Sequence, residues 1–123
     1  MNTQFKFKIE YKDADKRKQM SEKIKQIHPD KIPIIIEKDP NCKLKDLEKT
    51  KYIIPRDLVV AQLIGKLSKK AEIGEKEGLF LLIDGKNAIS GNTSLGDIYE
   101  KYADEKDGFL YIIYTSKEVW GGL

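Results

Sequence analysis

The sequence has little of the material from which catalytic and metal-binding sites are usually built. Its 123 residues include one cysteine and one histidine, which excludes a disulfide framework and a cysteine-based metal site. Cys42 has no histidine near it in the sequence to activate it, so we interpret it as an incidental thiol in a loop. There is no glycine-rich phosphate loop and no nucleophile beside a base. We therefore expect no enzymatic activity, no metal and no cofactor.

Long apolar runs are also missing. The longest are Leu79 to Ile83 and Phe109 to Tyr114, far short of the roughly 20 residues that a membrane-spanning helix needs. The first eight residues carry charges but lack the apolar segment of a secretory signal. We expect a cytoplasmic protein with no transmembrane segment.

Charged residues are abundant, at 35% of the chain, but the net charge is only +3. That excess is too small to indicate binding to nucleic acid. The excess of positive charge is concentrated in residues 1–31. This segment either attracts acidic lipids and peptides or forms a solvated helix face. The acidic residues Asp104, Glu105 and Asp107 are interleaved with lysine and predict a solvated loop.

The first part of the chain shows three patterns. Apolar residues alternate with polar ones in 5–11, which is the period of a strand. Apolar residues in 13–27 recur at helical spacing, and Asp13 is a suitable cap for that helix. Residues 31–38 are rich in β-branched side chains and predict a strand, in which Pro33 indicates a sheet edge or a bulge.

The second part predicts the remaining elements. They are a strand at 51–54, a cap at 55–57, a helix at 60–71, a buried strand at 79–83, a turn at 84–87, a short helix at 95–102 and a last strand at 109–114. From residue 31 the order is thus strand, strand, helix, strand, short helix, strand. Two early strands in a hairpin, a helix packed across them and a last strand in the middle describe an α+β protein with the β-grasp, or ubiquitin-like, fold.

Several stretches occur in an order that resembles a known family. The most specific are KYIIPRDL at 51–58 and KDGFLY at 106–111, and an aromatic residue followed by glycine stands near the end. In these the chain is similar to the autophagy-related ubiquitin-like modifiers typified by GABARAP. The resemblance implies two additional amino-terminal helices in residues 1–30, a ubiquitin-like core in 31–116 and a flexible tail in 117–123. It therefore replaces the strand at 5–11 with a helix.

The resemblance implies attachment to a lipid. In this family a processing cysteine protease trims the chain after the glycine that follows the aromatic residue, and activating and conjugating enzymes pass the new terminal acyl group to phosphatidylethanolamine. The pattern matches Trp120 and Gly121, although Gly122 leaves a second register open. The conjugated protein is expected on the autophagosome membrane.

The resemblance also implies capture of adaptor and cargo-receptor peptides of the form aromatic-x-x-aliphatic, which add a strand to the edge at 51–54. Carried over position by position, the aromatic pocket consists of Ile24, Pro33, Ile35, Lys51, Ile53 and Phe109. The aliphatic pocket consists of Tyr52, Ile54, Pro55, Leu58 and Leu63. Leu63 stands where phenylalanine is common and Gly65-Lys66 replaces bulkier residues, so we expect a shallower or more open aliphatic pocket.

Two other functions stay open. One is a β-grasp sulfur carrier whose terminal Gly-Gly becomes a thiocarboxylate, although Leu123 and residues 1–30 count against it. The other is a paralogue that keeps the peptide groove as a scaffold and is never conjugated.

Overall fold

The computed structural model describes residues 5–73, 78–83 and 87–116. In chain order the elements are α1 (Lys6–Glu10), α2 (Ala14–Ile27), β1 (Lys31–Lys38), β2 (Lys51–Pro55), α3 (Val60–Lys70), β3 (Leu79–Ile83), β4 (Asn87–Ala88), α4 (Leu95–Tyr102) and β5 (Leu110–Ser116). Most of the turn predicted at 84–87 lies outside the described residues. The helices and strands predicted after residue 12 are present, with small differences at their ends, and β4 was not predicted.

The strands form one mixed sheet in the order β2-β1-β5-β3-β4. β1 pairs antiparallel with β2 and parallel with β5, and β3 pairs antiparallel with β5 and β4. The early hairpin and the central last strand confirm the predicted β-grasp. β2 lies at one edge of the sheet.

Both faces of the sheet are covered by helices, and β1 shows this most clearly. Ile32, Ile34 and Ile36 lie in the main core, which also contains apolar residues of α3 and α4. Ile35 points the other way and packs in a second cluster with residues of α1 and α2. A strand buried on both faces has no polar face to alternate with, which explains the uninterrupted apolar run in its sequence.

The prediction that Pro33 marks an edge or a bulge is wrong, because β1 lies between β2 and β5. The N–H of Ile36 donates to the carbonyl of Thr50, the residue before β2, so the even-numbered N–H groups of β1 point towards β2 and the odd-numbered ones point towards β5. Position 33 precedes the first β1–β5 pair, Ile34↔Leu110. The missing proline N–H therefore costs neither ladder a hydrogen bond.

Residues 6–10 form a helix, so the strand suggested by the alternating pattern is wrong and the helix implied by the resemblance is correct. Both carboxylate oxygens of Glu37, on β1, accept hydrogen bonds from the N–H groups of Lys6 and Phe7, at 2.8 and 3.0 Å. Those N–H groups belong to the first turn of the helix and would otherwise lack partners. A carboxylate 30 residues away in the sequence thus caps α1.

The prediction that residues 55–57 cap the next helix is also wrong, because α3 begins at Val60. Its first-turn N–H groups, those of Val60 and Ala61, donate to the carbonyls of Thr93 and Gly91. The side chain of Gln62 accepts the N–H of Val59. Backbone from the segment before α4 thus replaces a local side-chain cap.

Candidate functional site

The exposed edge of the sheet offers unpaired backbone groups. In the β1–β2 ladder the backbone N–H and C=O groups of the even-numbered residues of β2 point towards β1. The hydrogen bonds from Ile36 N–H to Thr50 and from Arg56 N–H to Asp30 show this parity. The N–H and C=O groups of Lys51 and Ile53 must then point away from the sheet. Two donors and two acceptors at this edge are available to a further strand.

One side of this edge carries the residues predicted for the aromatic pocket. The register pairs Pro33 with Ile53 and Ile35 with Lys51, so these four side chains lie on one face of the sheet. Ile24 from α2, Ile35 and Phe109 are buried together in the cluster beneath α2. Pro33 is also buried, Lys51 is exposed, and Ile53 keeps 38% of its surface exposed. The structure brings the six together as a buried floor beside an exposed rim.

The other side of the edge is a groove of about 610 Å³ between β2 and α3. All five residues predicted for the aliphatic pocket line it: Tyr52, Ile54, Pro55, Leu58 and Leu63. Leu63 is 1% exposed and forms part of the floor. Burial raises the pKa of Tyr52 above its ordinary value.

The groove also has a basic lining that the sequence analysis missed. Its lysines are Lys49, Lys51, Lys66, Lys69 and Lys70, and no acidic residue is among its described lining residues. The ammonium groups of Lys70 and Lys49 lie 5.3 and 5.9 Å from the centre of the Tyr52 ring, within reach of a cation–π interaction. The spacing of 66, 69 and 70 places three of the lysines on one helix face, a signal that was available in the sequence.

A buried polar cluster attaches α2 to the core beside the aromatic pocket. Asp107 is fully buried, so the prediction that it lies in a solvated loop is wrong. It accepts hydrogen bonds from Arg17 Nε at 2.8 Å, from the Tyr111 hydroxyl at 2.5 Å and from the N–H of Phe109 at 2.9 Å. Burial opposes the charge of Arg17, but its hydrogen bond with Asp107 raises the pKa of the guanidinium. The ion pair compensates a charge that would be costly if left alone.

Asp104 ties α1 to the same loop. Its carboxylate accepts a hydrogen bond from Lys8 Nζ at 3.0 Å and further bonds from the N–H groups of Lys106 and Asp107. Burial opposes ionisation, but these bonds together lower the pKa of Asp104. Arg17 and Asp104 thus fix both amino-terminal helices over the face that carries Ile35 and Phe109.

The predicted conjugation residues Trp120, Gly121 and Gly122 lie outside the described residues. Within the described ranges, His, Cys, Asp and Glu side chains form no group of three or more suited to a metal ion. None of the helices in those ranges is long and apolar enough to cross a membrane.

Two comparisons with known proteins agree with this geometry. Residues 16–121 match the sequence model of a family described as autophagy protein Atg8 ubiquitin like. The fold is similar to the crystal structure of Trypanosoma brucei ATG8, with a TM-score of 0.86 and 32% sequence identity. That alignment covers 94% of this chain and 97% of the trypanosome chain.

Proposed function

Because this chain belongs to the Atg8 family of autophagy ubiquitin-like proteins, we propose that it is a modifier that carries a peptide-binding groove to membranes. In this proposal a carboxyl-terminal glycine is joined to phosphatidylethanolamine, and the groove then recruits adaptors and cargo receptors. The observation that carries the proposal is the edge strand β2, which has free backbone groups and two apolar sites on opposite faces.

Conjugation requires a glycine at the new end of the chain. Trp120-Gly121 fits the aromatic-glycine pattern, so a cysteine protease would cut after Gly121, and Gly122 is the alternative. Glycine has no Cβ, which lets its carbonyl enter a narrow enzyme cleft. The chain supplies only the acyl group, so it is the substrate of the protease and of the activating and conjugating enzymes.

The lipid supplies the membrane affinity. A single acyl chain binds a bilayer only marginally, whereas two chains, at about 0.8 kcal/mol per buried CH₂, hold a soluble domain firmly. The protein would therefore be cytoplasmic before conjugation and bound to autophagosome membranes afterwards.

In the proposed peptide complex, backbone hydrogen bonds set the register and buried side chains supply most of the affinity. The outward groups of Lys51 and Ile53 would set the register of an added strand, at about 0.5–1.5 kcal/mol net per hydrogen bond. An aromatic side chain beside Ile53 and an aliphatic one above Leu63 would each contribute about 1.5–3 kcal/mol by burial. Association and ordering offset part of this sum, so the two anchors decide the affinity.

The experiment that tests conjugation is the intact mass of the protein recovered from membranes. We expect a chain that ends at Gly121 and carries one phosphatidylethanolamine. Gly121→Ala should abolish the adduct, and Gly122→Ala, the matched control, should keep it. Loss of the adduct in the Gly122 variant alone would assign the second register.

Other masses would contradict the proposal. An exchange of sulfur for oxygen at the chain end would identify a sulfur carrier, and an unmodified chain would identify a scaffold. The lipid anchor is also refuted if a variant lacking both glycines sediments with vesicles as well as the native protein does.

A further inference from the structure

The chain contains a segment that has the form of its own ligand. Trp120-Gly121-Gly122-Leu123 places an aliphatic residue three positions after an aromatic one, which is the aromatic-x-x-aliphatic spacing proposed for the groove. We propose that, before trimming, the tail of one copy binds along the β2 edge of a second copy, with Trp120 at the aromatic pocket and Leu123 in the groove. This inference rests on the peptide-binding function proposed above.

Charge favours this occupant. Five lysines and no described acidic residue line the groove. Glu118 stands two residues before Trp120, so in an extended tail its carboxylate lies on the same face as the aromatic anchor, where the exposed Lys51 borders the sheet edge. The two glycines between the anchors add no side chain that could collide with the sheet edge.

The sheet register excludes binding of the tail to its own groove. Ile34 pairs with both Leu110 and Tyr52, so these two residues are level across the sheet. Ser116 lies six residues after Leu110, roughly 20 Å further along the strand direction, and β5 is two strand spacings, roughly 10 Å, from β2.

The aromatic site is therefore out of reach of the tail of the same copy. Trp120 follows Ser116 by four residues, which span at most about 14 Å. The distance from Ser116 to the level of Tyr52 already exceeds 20 Å, and Ile53 is one residue further away. A second copy has no such limit.

The contact joins different surfaces on the two copies, tail to groove. Such an interface is heterologous, so the assembly either closes, as when two copies exchange tails, or continues as an open chain with a free groove at one end and a free tail at the other. Hydrolysis of the peptide bond after Gly121 or after Gly122 consumes one water molecule and removes Leu123 in either case. Trimming would thus delete the aliphatic anchor and release the groove for other peptides.

The test measures the mass of the full chain by sedimentation over a range of concentrations. We expect self-association that Trp120→Ala and Leu123→Ala each weaken at least tenfold. Ile53→Asp should weaken it equally, whereas Ile27→Asp, on another exposed isoleucine, should leave it unchanged. Circular dichroism of each variant checks that it is folded.

Mixing gives the sharpest result. Trp120→Ala keeps a groove and Ile53→Asp keeps a tail, so an equimolar mixture should form a one-to-one complex that grows no further. The proposal is overturned if the tail variants associate as strongly as the native chain. It is also overturned if the mixture stays monomeric while the native chain associates. A native chain that is monomeric at every concentration overturns it as well.

A second arm separates this inference from the proposed function. The chain trimmed at Gly121 is titrated with an amidated peptide of residues 116–123 and with an unrelated aromatic-x-x-aliphatic peptide flanked by acidic residues. We expect both to bind and Leu123→Ala in the tail peptide to weaken it at least tenfold. If only the unrelated peptide binds, the inference fails and the proposed function stands; if neither binds, both fail.

Discussion

Removal of the Asp107 carboxylate should be among the most damaging single changes outside the main core. Asp107 is fully buried, and its partner Arg17 is 6% exposed. In Asp107→Ala the guanidinium keeps only one described hydrogen bond, from Nη1 to the carbonyl of Tyr11. An uncompensated buried charge costs about 3–5 kcal/mol, a large share of the 5–15 kcal/mol typical of a whole domain.

Urea unfolding followed by circular dichroism measures this loss. Glu100→Ala is the control, because it breaks the exposed ion pair with Arg56, and such pairs contribute at most about 1 kcal/mol. Adding Arg17→Met to Asp107→Ala should recover stability, since it removes the stranded charge. A loss below about 1 kcal/mol for Asp107→Ala, or a double variant that is simply additive, would refute this account.

Four further substitutions have expected outcomes. Ile53→Asp should weaken an aromatic-x-x-aliphatic peptide at least a hundredfold in titration calorimetry while lipid attachment persists, because the tail is untouched. Gly65→Ala should stabilise the protein by about 0.5–1 kcal/mol, since an added Cβ meets no atom within 4 Å in this helix. Gly108→Ala should instead destabilise it by more than 1 kcal/mol, because φ is +75° and the Cβ would lie 2.8 Å from the Ser21 hydroxyl. Burial raises the pKa of Tyr114 from 10.0 to about 12. The stabilisation that comes from the neutral hydroxyl is therefore complete below pH 10 and is lost between pH 10 and 12. Comparing the free energies of unfolding of the native protein and Tyr114→Phe across that pH range measures this loss.

Each expectation has an outcome that contradicts it. Unchanged calorimetric affinity in Ile53→Asp would remove this residue from the peptide site. Equal effects of alanine at positions 65 and 108 in urea unfolding would refute the difference in local geometry. A stability difference between native protein and Tyr114→Phe that stays constant from pH 9 to pH 12 would refute the raised pKa.

The candidate site was predictable only in part. The five aliphatic-pocket residues were named from the resemblance, and the structure places them in one groove; their role in binding stays a prediction. The basic lining was visible as lysine spacing on α3 but was not used. The Arg17–Asp107 pair was missed because its members lie 90 residues apart, and a charged residue within a charged stretch has the same local pattern whether it is exposed or buried.

The sequence by itself determined the elements whose burial follows from their own pattern. Three elements carry their apolar period or β-branched run within their own residues, so both ends of each were predicted correctly: 31–38, 79–83 and 95–102. Their order along the chain then defined the β-grasp, because few arrangements bury all of these faces at once.

Only the tertiary structure decided the elements whose ends are satisfied from elsewhere. α1 has five residues, too few to be stable alone, and it exists because Glu37 caps it and Phe7 packs against Phe109. α3 begins at Val60 because Thr93 accepts its first N–H group. Hydrogen bonds and burial that join distant segments leave no trace in a local pattern, and for that reason the sequence pattern predicted a strand in place of α1 and put the cap of α3 at 55–57.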